Sequence, residues 1–205
     1  MIKTLNSDQR MMIDKYKTKY LKYATAVNCT DKLQAEKSIS KISQLNGVTI
    51  KGFNWVNTLR EGYLQRMFYF SFVSVSYVLK DFLFNYVFNA YLSEDVKRYL
   101  DTYFLNLNYP PSICKYTEDT LFDSFLDYKF VALYMYLIEV LDVPCGNRSK
   151  EIISLYDKLI QSCFSIWVCP HTPVIICEKP KEIIIEDNIL CSITWNSVNC
   201  MEERS

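Results

Sequence analysis

Three aspartates, Asp119, Asp123 and Asp127, recur at every fourth residue. On a helix that step lines them along one face, where carboxylates can hold a divalent cation or meet a basic partner. Carboxylate metal sites draw a histidine or further acids from other elements, and spacing alone assigns none here. The stripe is therefore read as a solvated, partner-binding face. A second group, Cys163, Cys169, Pro170, His171 and Cys177, contains the single histidine of the chain. Zinc takes Cys and His, but cysteine steps of six and eight residues miss the close pairs of structural zinc sites. A Cys169 thiolate activated by His171 is also disfavoured, since near neighbours in a strand seldom point at one another. No metal and no cofactor is expected. Trp167 and His171 are read instead as an aromatic loop facing a protein partner.

A third group is basic. Lys15, Lys19 and Lys22 share a helical face within residues 1–51, which hold ten Lys/Arg against four Asp/Glu. Residues 81–142 reverse this with ten acids against four bases, so a chain of zero net charge is electrically polar. The lysine face is a candidate nucleic-acid footprint. Against it, the tyrosines of the same helix lie on its apolar stripe rather than where bases could stack on them. The four glycines form no G-x-G-x-x-G or G-K-[ST] loop, which sets aside nucleotide enzymes of those kinds.

These residues need a scaffold, and the pattern predicts a mainly helical one. A helix is expected from Asp8 to about Val27 behind a Ser7 cap, with Met12, Tyr16, Tyr20, Tyr23 and Val27 inward. Thr30 is read as the cap of a second, antiparallel helix that Gly47 ends. Val48–Val56 reads as extended, with Trp55 inward. Arg60–Leu92 suits one or two buried helices, although Val73 to Tyr77 would also read as a strand. Its longest apolar run, Phe68–Leu79, is too short for a membrane span. Ser93 starts another helix, which Pro110 and Pro111 close off. Thr117 begins the central one, apolar all round from Phe130 to Ile138, and Ser149 caps the last. After residue 163 the pattern turns to strands. Val174–Cys177 and Ile183–Ile185 flank a Glu178-Lys179-Pro180 turn, which predicts a small hairpin or sheet layer. The expected architecture is α+β: one predominantly helical domain over 1–205, helical to 163, with a β-rich layer at 164–198.

The order Trp167, Pro170, apolar strand, Glu178-Lys179-Pro180, Ile183, Asp187 resembles the late part of an uncharacterised bacterial domain family. Its members show an aromatic-Pro segment, a strand, a Glu-Arg-Pro turn and a following Asp. The opening, residues 5–47, is similar to that family's first helix, Asp-Lys/Arg step and Ala-Glu helix ending in Gly. Phe53–Val56 is similar to its Trp-containing strand. Phe70–Val78 resembles a worn remnant of its four-residue repeats ending in Ser-Val. Where the family continues into an LHNEDGPA-type ending, this chain reads ILCSITWNSVNCMEERS. The resemblance carries over no catalytic residue.

Sixteen tyrosines, twelve phenylalanines and an apolar half exclude a disordered chain. The first residues are polar, with no export signal. A cytoplasmic location is therefore expected, with the eight cysteines reduced. The favoured function is a non-enzymatic protein-interaction or inhibitor module. The Ile/Lys/Asn/Tyr-rich, Gly-poor composition fits a low-GC bacterium or its phage. There a chain of this kind would inhibit a host defence or regulatory protein, in the anti-CRISPR manner. The alternatives are nucleic-acid binding through Lys15, Lys19 and Lys22, and an enzyme built on the Asp or Cys/His residues.

Overall fold

A helix without a polar face has to sit at the centre of a fold, and residues 130–138 are such a stretch. The computed structural model describes residues 1–67, 89–104, 120–168, 172–186 and 189–195. In it Tyr128 to Leu137 are all buried apart from a half-buried Met135, on a helix that spans Thr120–Glu139. Six helices of nine residues or more are described: α1 (Ser7–Ala24), α2 (Lys32–Leu45), α3 (Leu59–Met67), α4 (Glu94–Phe104), α5 (Thr120–Glu139) and α6 (Asn147–Ser162). Five strands join them: β1 (Phe53–Val56), β2 (Ser165–Trp167), β3 (Val174–Cys177), β4 (Glu182–Glu186) and β5 (Ile189–Thr194). The chain is a predominantly helical α+β fold.

α1 packs on α5, with α4 and α6 also against α5, and α2 lies mainly on α6. The expected antiparallel α1–α2 pair is thus replaced by two pairings with later helices. Each of the two buries its own apolar stripe, Ile13, Tyr16, Tyr20 and Ala24 in α1 and Ala35, Ile39 and Ile42 in α2. Tyrosine hydroxyls inside this bundle need acceptors. Tyr16 donates to the Glu139 carboxylate, Tyr20 to Asp157 at 2.7 Å, and Tyr136 to the Gln9 carbonyl at 2.9 Å.

Cap positions shift from those expected. Asn6, not Ser7, caps α1, because its side chain accepts from the Gln9 N–H while the Gln9 side chain accepts from the Asn6 N–H, a reciprocal capping box. Asp31, not Thr30, caps α2 through the Gln34 N–H. Helix α6 starts at Asn147, ahead of Ser149. Gly47 takes the left-handed conformation expected of it, at φ 66°. Residues 68–79, of ambiguous pattern, lie outside the described residues.

The strands form two sheets, not one hairpin layer. The first has the order β1-β3-β2, with β1 parallel and β2 antiparallel to β3. Its central strand, Val174–Cys177, is buried at every position, as expected of a continuous β-branched run. The second sheet is the antiparallel β4–β5 pair. The Glu178-Lys179-Pro180 turn carries the chain from one sheet to the other. Among the described residues no helix is long and apolar enough to cross a membrane.

α3 lies against the first sheet, with Gly62 directly over Trp167. A Cβ on Gly62 would overlap the six-membered ring of that indole. Gly62→Ala should therefore destabilise the protein by about 1–3 kcal/mol through overpacking, despite alanine's better helix propensity of about 1 kcal/mol. Urea unfolding followed by tryptophan fluorescence measures it, and a neutral or stabilising result would contradict this packing.

Candidate functional site

The lysine face of α1 forms as expected in part. Lys15 and Lys22 are exposed. Lys19 is half-buried, its ammonium lying 5.1 to 5.8 Å from the ring centres of Tyr16, Tyr20 and Tyr23. Cations over aromatic faces are attracted by the ring quadrupole, so Lys19 is engaged with its own helix. Two of the three lysines are left to meet a phosphate backbone.

The acidic stripe falls on the first turns of α5 and just ahead of it. Asp123 and Asp127 occupy helical positions four apart, and Asp119 lies outside the described residues, as does His171. Trp167 is described, and it is a core residue. Only 8% exposed, it packs under α3 against Gly62, so it cannot be the open aromatic contact that the sequence suggested. An aromatic between β-branched neighbours in a strand is drawn to the interior by its area.

The best-defined constellation is one that spacing alone did not assemble. Lys179, in the middle of the Glu178-Lys179-Pro180 turn, is 3% exposed. Its Nζ donates to the Tyr23 carbonyl near the end of α1 and to the Ile160 carbonyl near the end of α6, each at 2.7 Å. Helix C-termini present orphan carbonyls and a partial negative charge, and one amine here joins two of them. Around it the α1–α2 loop closes on the turn. The Lys179 N–H donates to Thr30 Oγ1 at 2.7 Å, which accounts for Thr30 not capping α2. Asn28, at φ 52°, donates through its backbone N–H to the Pro180 carbonyl at 3.0 Å and through Nδ2 to the Lys181 carbonyl at 3.1 Å. Asparagine tolerates that left-handed conformation. Lys32 pairs with Glu178 on the rim.

Two thiols and this lysine form the chemically capable part of the constellation, and their environment quiets them. Burial pushes the Cys163 thiol up to about 12 and Cys177 higher still. Burial also draws the Lys179 ammonium down, with Cys163 and Cys29 partly opposing. A thiol held protonated is a poor nucleophile. In a pulse of iodoacetamide on the native protein, the exposed Cys29 should label at least about a hundredfold faster than Cys163 or Cys177. Peptide mass spectrometry gives the ratio, and comparable rates would show that the buried pair is open to reagent.

A second buried lysine, Lys129 on α5, is 2% exposed, and desolvation, with Lys17 nearby, lowers it to about 8. Among the described residues no three His, Cys, Asp or Glu side chains are grouped to hold a metal ion. No family model, curated protein or solved structure matches this chain.

Proposed function

We propose that the protein is a non-enzymatic interaction module that acts by binding another protein. The observation that supports this is the use made of its reactive side chains. Lys179 is spent on two helix ends, Cys163 and Cys177 are buried and protonated, and the Tyr16 and Tyr20 hydroxyls are tied to carboxylates. These groups hold the scaffold together, which leaves its surface for function. An inhibitor of a bacterial defence or regulatory protein is the form of this reading that the composition suggests. Asp123 and Asp127, with Asp119, are the proposed acidic contact.

The exposed Lys15 and Lys22 favour nucleic-acid binding as the second reading. Phosphate contacts release counterions, so such binding would fall steeply with salt. With Lys19 held over tyrosine rings, filter binding should show only weak, non-specific retention of DNA or RNA, lost near about 150 mM salt. A submicromolar dissociation constant at that salt, abolished by exchanging Lys15, Lys19 and Lys22 for Glu, would reverse the order of the two readings.

A further inference from the structure

We propose that Asn46 is a site of spontaneous deamidation which the C-terminal cap of α2 holds in check, and that the isoaspartyl product frees that end of α2 from α6. Asn46-Gly47 is the only Asn-Gly pair of the chain. A glycine after an asparagine leaves its backbone nitrogen open to approach, since no Cβ stands in the way. Both residues are exposed, so water reaches them.

The step exchanges a side-chain amide for an acid. The Gly47 nitrogen attacks Asn46 Cγ, the new N–Cγ bond closes a five-membered imide, and the Cγ–Nδ2 bond breaks. Nδ2 leaves as ammonia, taking up the proton that the Gly47 nitrogen gives up. Water then adds to one of the two imide carbonyls. Opening at Cγ restores the main chain with an aspartate side chain, whereas opening at the backbone carbonyl leaves the main chain running through Cγ as isoaspartate. In either case one asparagine and one water become one acid and one ammonia, with no change of oxidation state.

The cap of α2 occupies the attacking nitrogen. The Gly47 N–H donates to the Gln44 carbonyl at 3.2 Å and the Val48 N–H to the Ser43 carbonyl at 2.9 Å, with Gly47 at φ 66°, which is a Schellman motif. Ring closure needs the Gly47 nitrogen to eclipse Cβ about the Asn46 Cα–C bond, but at ψ 3° it eclipses the Asn46 nitrogen instead. The side chain is held as well. Arg148, in the first turn of α6, donates through Nη2 to the Leu45 carbonyl and to Asn46 Oδ1 at 3.4 Å. Reaction therefore waits on opening of the cap, and an exposed helix end opens more readily than the fold as a whole. The two products differ in consequence. The aspartyl form keeps the backbone length and sets a carboxylate against the Arg148 guanidinium, a charge-assisted pair. The isoaspartyl form adds one carbon to the main chain between Leu45 and Gly47. That puts the Gly47 and Val48 N–H groups out of register with the Gln44 and Ser43 carbonyls, and the cap is lost.

The full chain is incubated in mildly alkaline buffer, native and in guanidinium chloride above its unfolding midpoint, and conversion of Asn46 is followed by peptide mass spectrometry. Conversion should be at least about tenfold slower in the native state. The variant Arg148→Ala, with its fold checked by circular dichroism, should convert about two- to fivefold faster than wild type in native buffer, and at the wild-type rate in denaturant. Aspartyl and isoaspartyl chains are then separated by chromatography, refolded and compared by hydrogen exchange. The peptide covering the end of α2 should exchange at least about tenfold faster in the isoaspartyl chain and near the wild-type rate in the aspartyl one. Equal conversion in the native and unfolded states, an Arg148→Ala rate equal to wild type in native buffer, or unchanged exchange of α2 in the isoaspartyl chain overturns the proposal.

Discussion

Lys179→Met should lower the stability of the protein by about 3 kcal/mol or more, and its melting temperature by about 6–12 °C. The substitution keeps the aliphatic stem and removes the donor. The Tyr23 and Ile160 carbonyls, which it serves at 2.7 Å, are then left in a niche where the present residue is 3% exposed. Each buried acceptor without a partner costs about 1–3 kcal/mol. Both sit at helix ends, where the Tyr23 carbonyl keeps the long Ala26 N–H contact at 3.4 Å and the Ile160 carbonyl loses its strong donor. Lys179→Arg retains donors and should lose less. Lys32→Ala, which removes the rim pair to Glu178, should cost under about 1 kcal/mol, as exposed ion pairs do. Thermal unfolding of the three variants orders them. A Met variant as stable as wild type would show that the two helix ends do not depend on this amine.

The second large effect is alkaline collapse. Lys129 is lowered to about 8 against about 10.4 in an unfolded chain. Between those values the unfolded state holds the extra proton, so this group makes stability rise with pH by about 1.4 kcal/mol per unit. The thiols act oppositely. Cys163 at about 12, and Cys177 above that, retain protons that an unfolded chain sheds from about pH 8.5. Two thiols outweigh one lysine, so the net is a fall of about 1.4 kcal/mol per unit between about pH 8.5 and 10. There the buried tyrosines enter. Burial raises Tyr136 to about 12 and lifts Tyr16, Tyr20 and Tyr134 further, with Glu139 and Asp157 adding to the shift of the first two. Six protons held by the native state alone give a fall of about 8 kcal/mol per pH unit, against a typical total stability of about 5–15 kcal/mol. Stability should therefore decline gently, by about 2 kcal/mol, from about pH 8.5 to 10 and vanish within roughly two units above that. Helical ellipticity and tyrosinate absorbance should change together. Gradual tyrosine titration with the helices intact would contradict this burial.

The helices were legible because periodicity and composition speak directly to burial. Phe130–Ile138 could only be central, and the left-handed conformation of Gly47 followed from its place after an amphipathic stripe. Partners were not legible. Nothing local says that α1 meets α5 and α2 meets α6, since one apolar stripe fits another equally well. Lys179 shows the same gap at the level of a site. A lysine between Glu and Pro in a turn reads as solvated, and only the meeting of two distant helix ends gives it acceptors. Thr30 and Asn28 carried the same concealment, as polar loop residues whose donors and acceptors are used across the fold. Trp167 was misplaced outward for the complementary reason, that its neighbour Pro170 suggested a loop while the strand it belongs to lies under α3.

The central claim, that this scaffold works by binding a protein, is tested most directly by affinity capture from a bacterial lysate with the tagged full chain. The capture is run with and without nuclease and read by quantitative mass spectrometry. The expected result is a specific protein recovered in near-stoichiometric amount, unchanged by nuclease and retained at about 150 mM salt, where loose electrostatic contacts are screened. Recovery that disappears with nuclease, or with Lys15, Lys19 and Lys22 exchanged for Glu, would contradict the claim and point to nucleic acid.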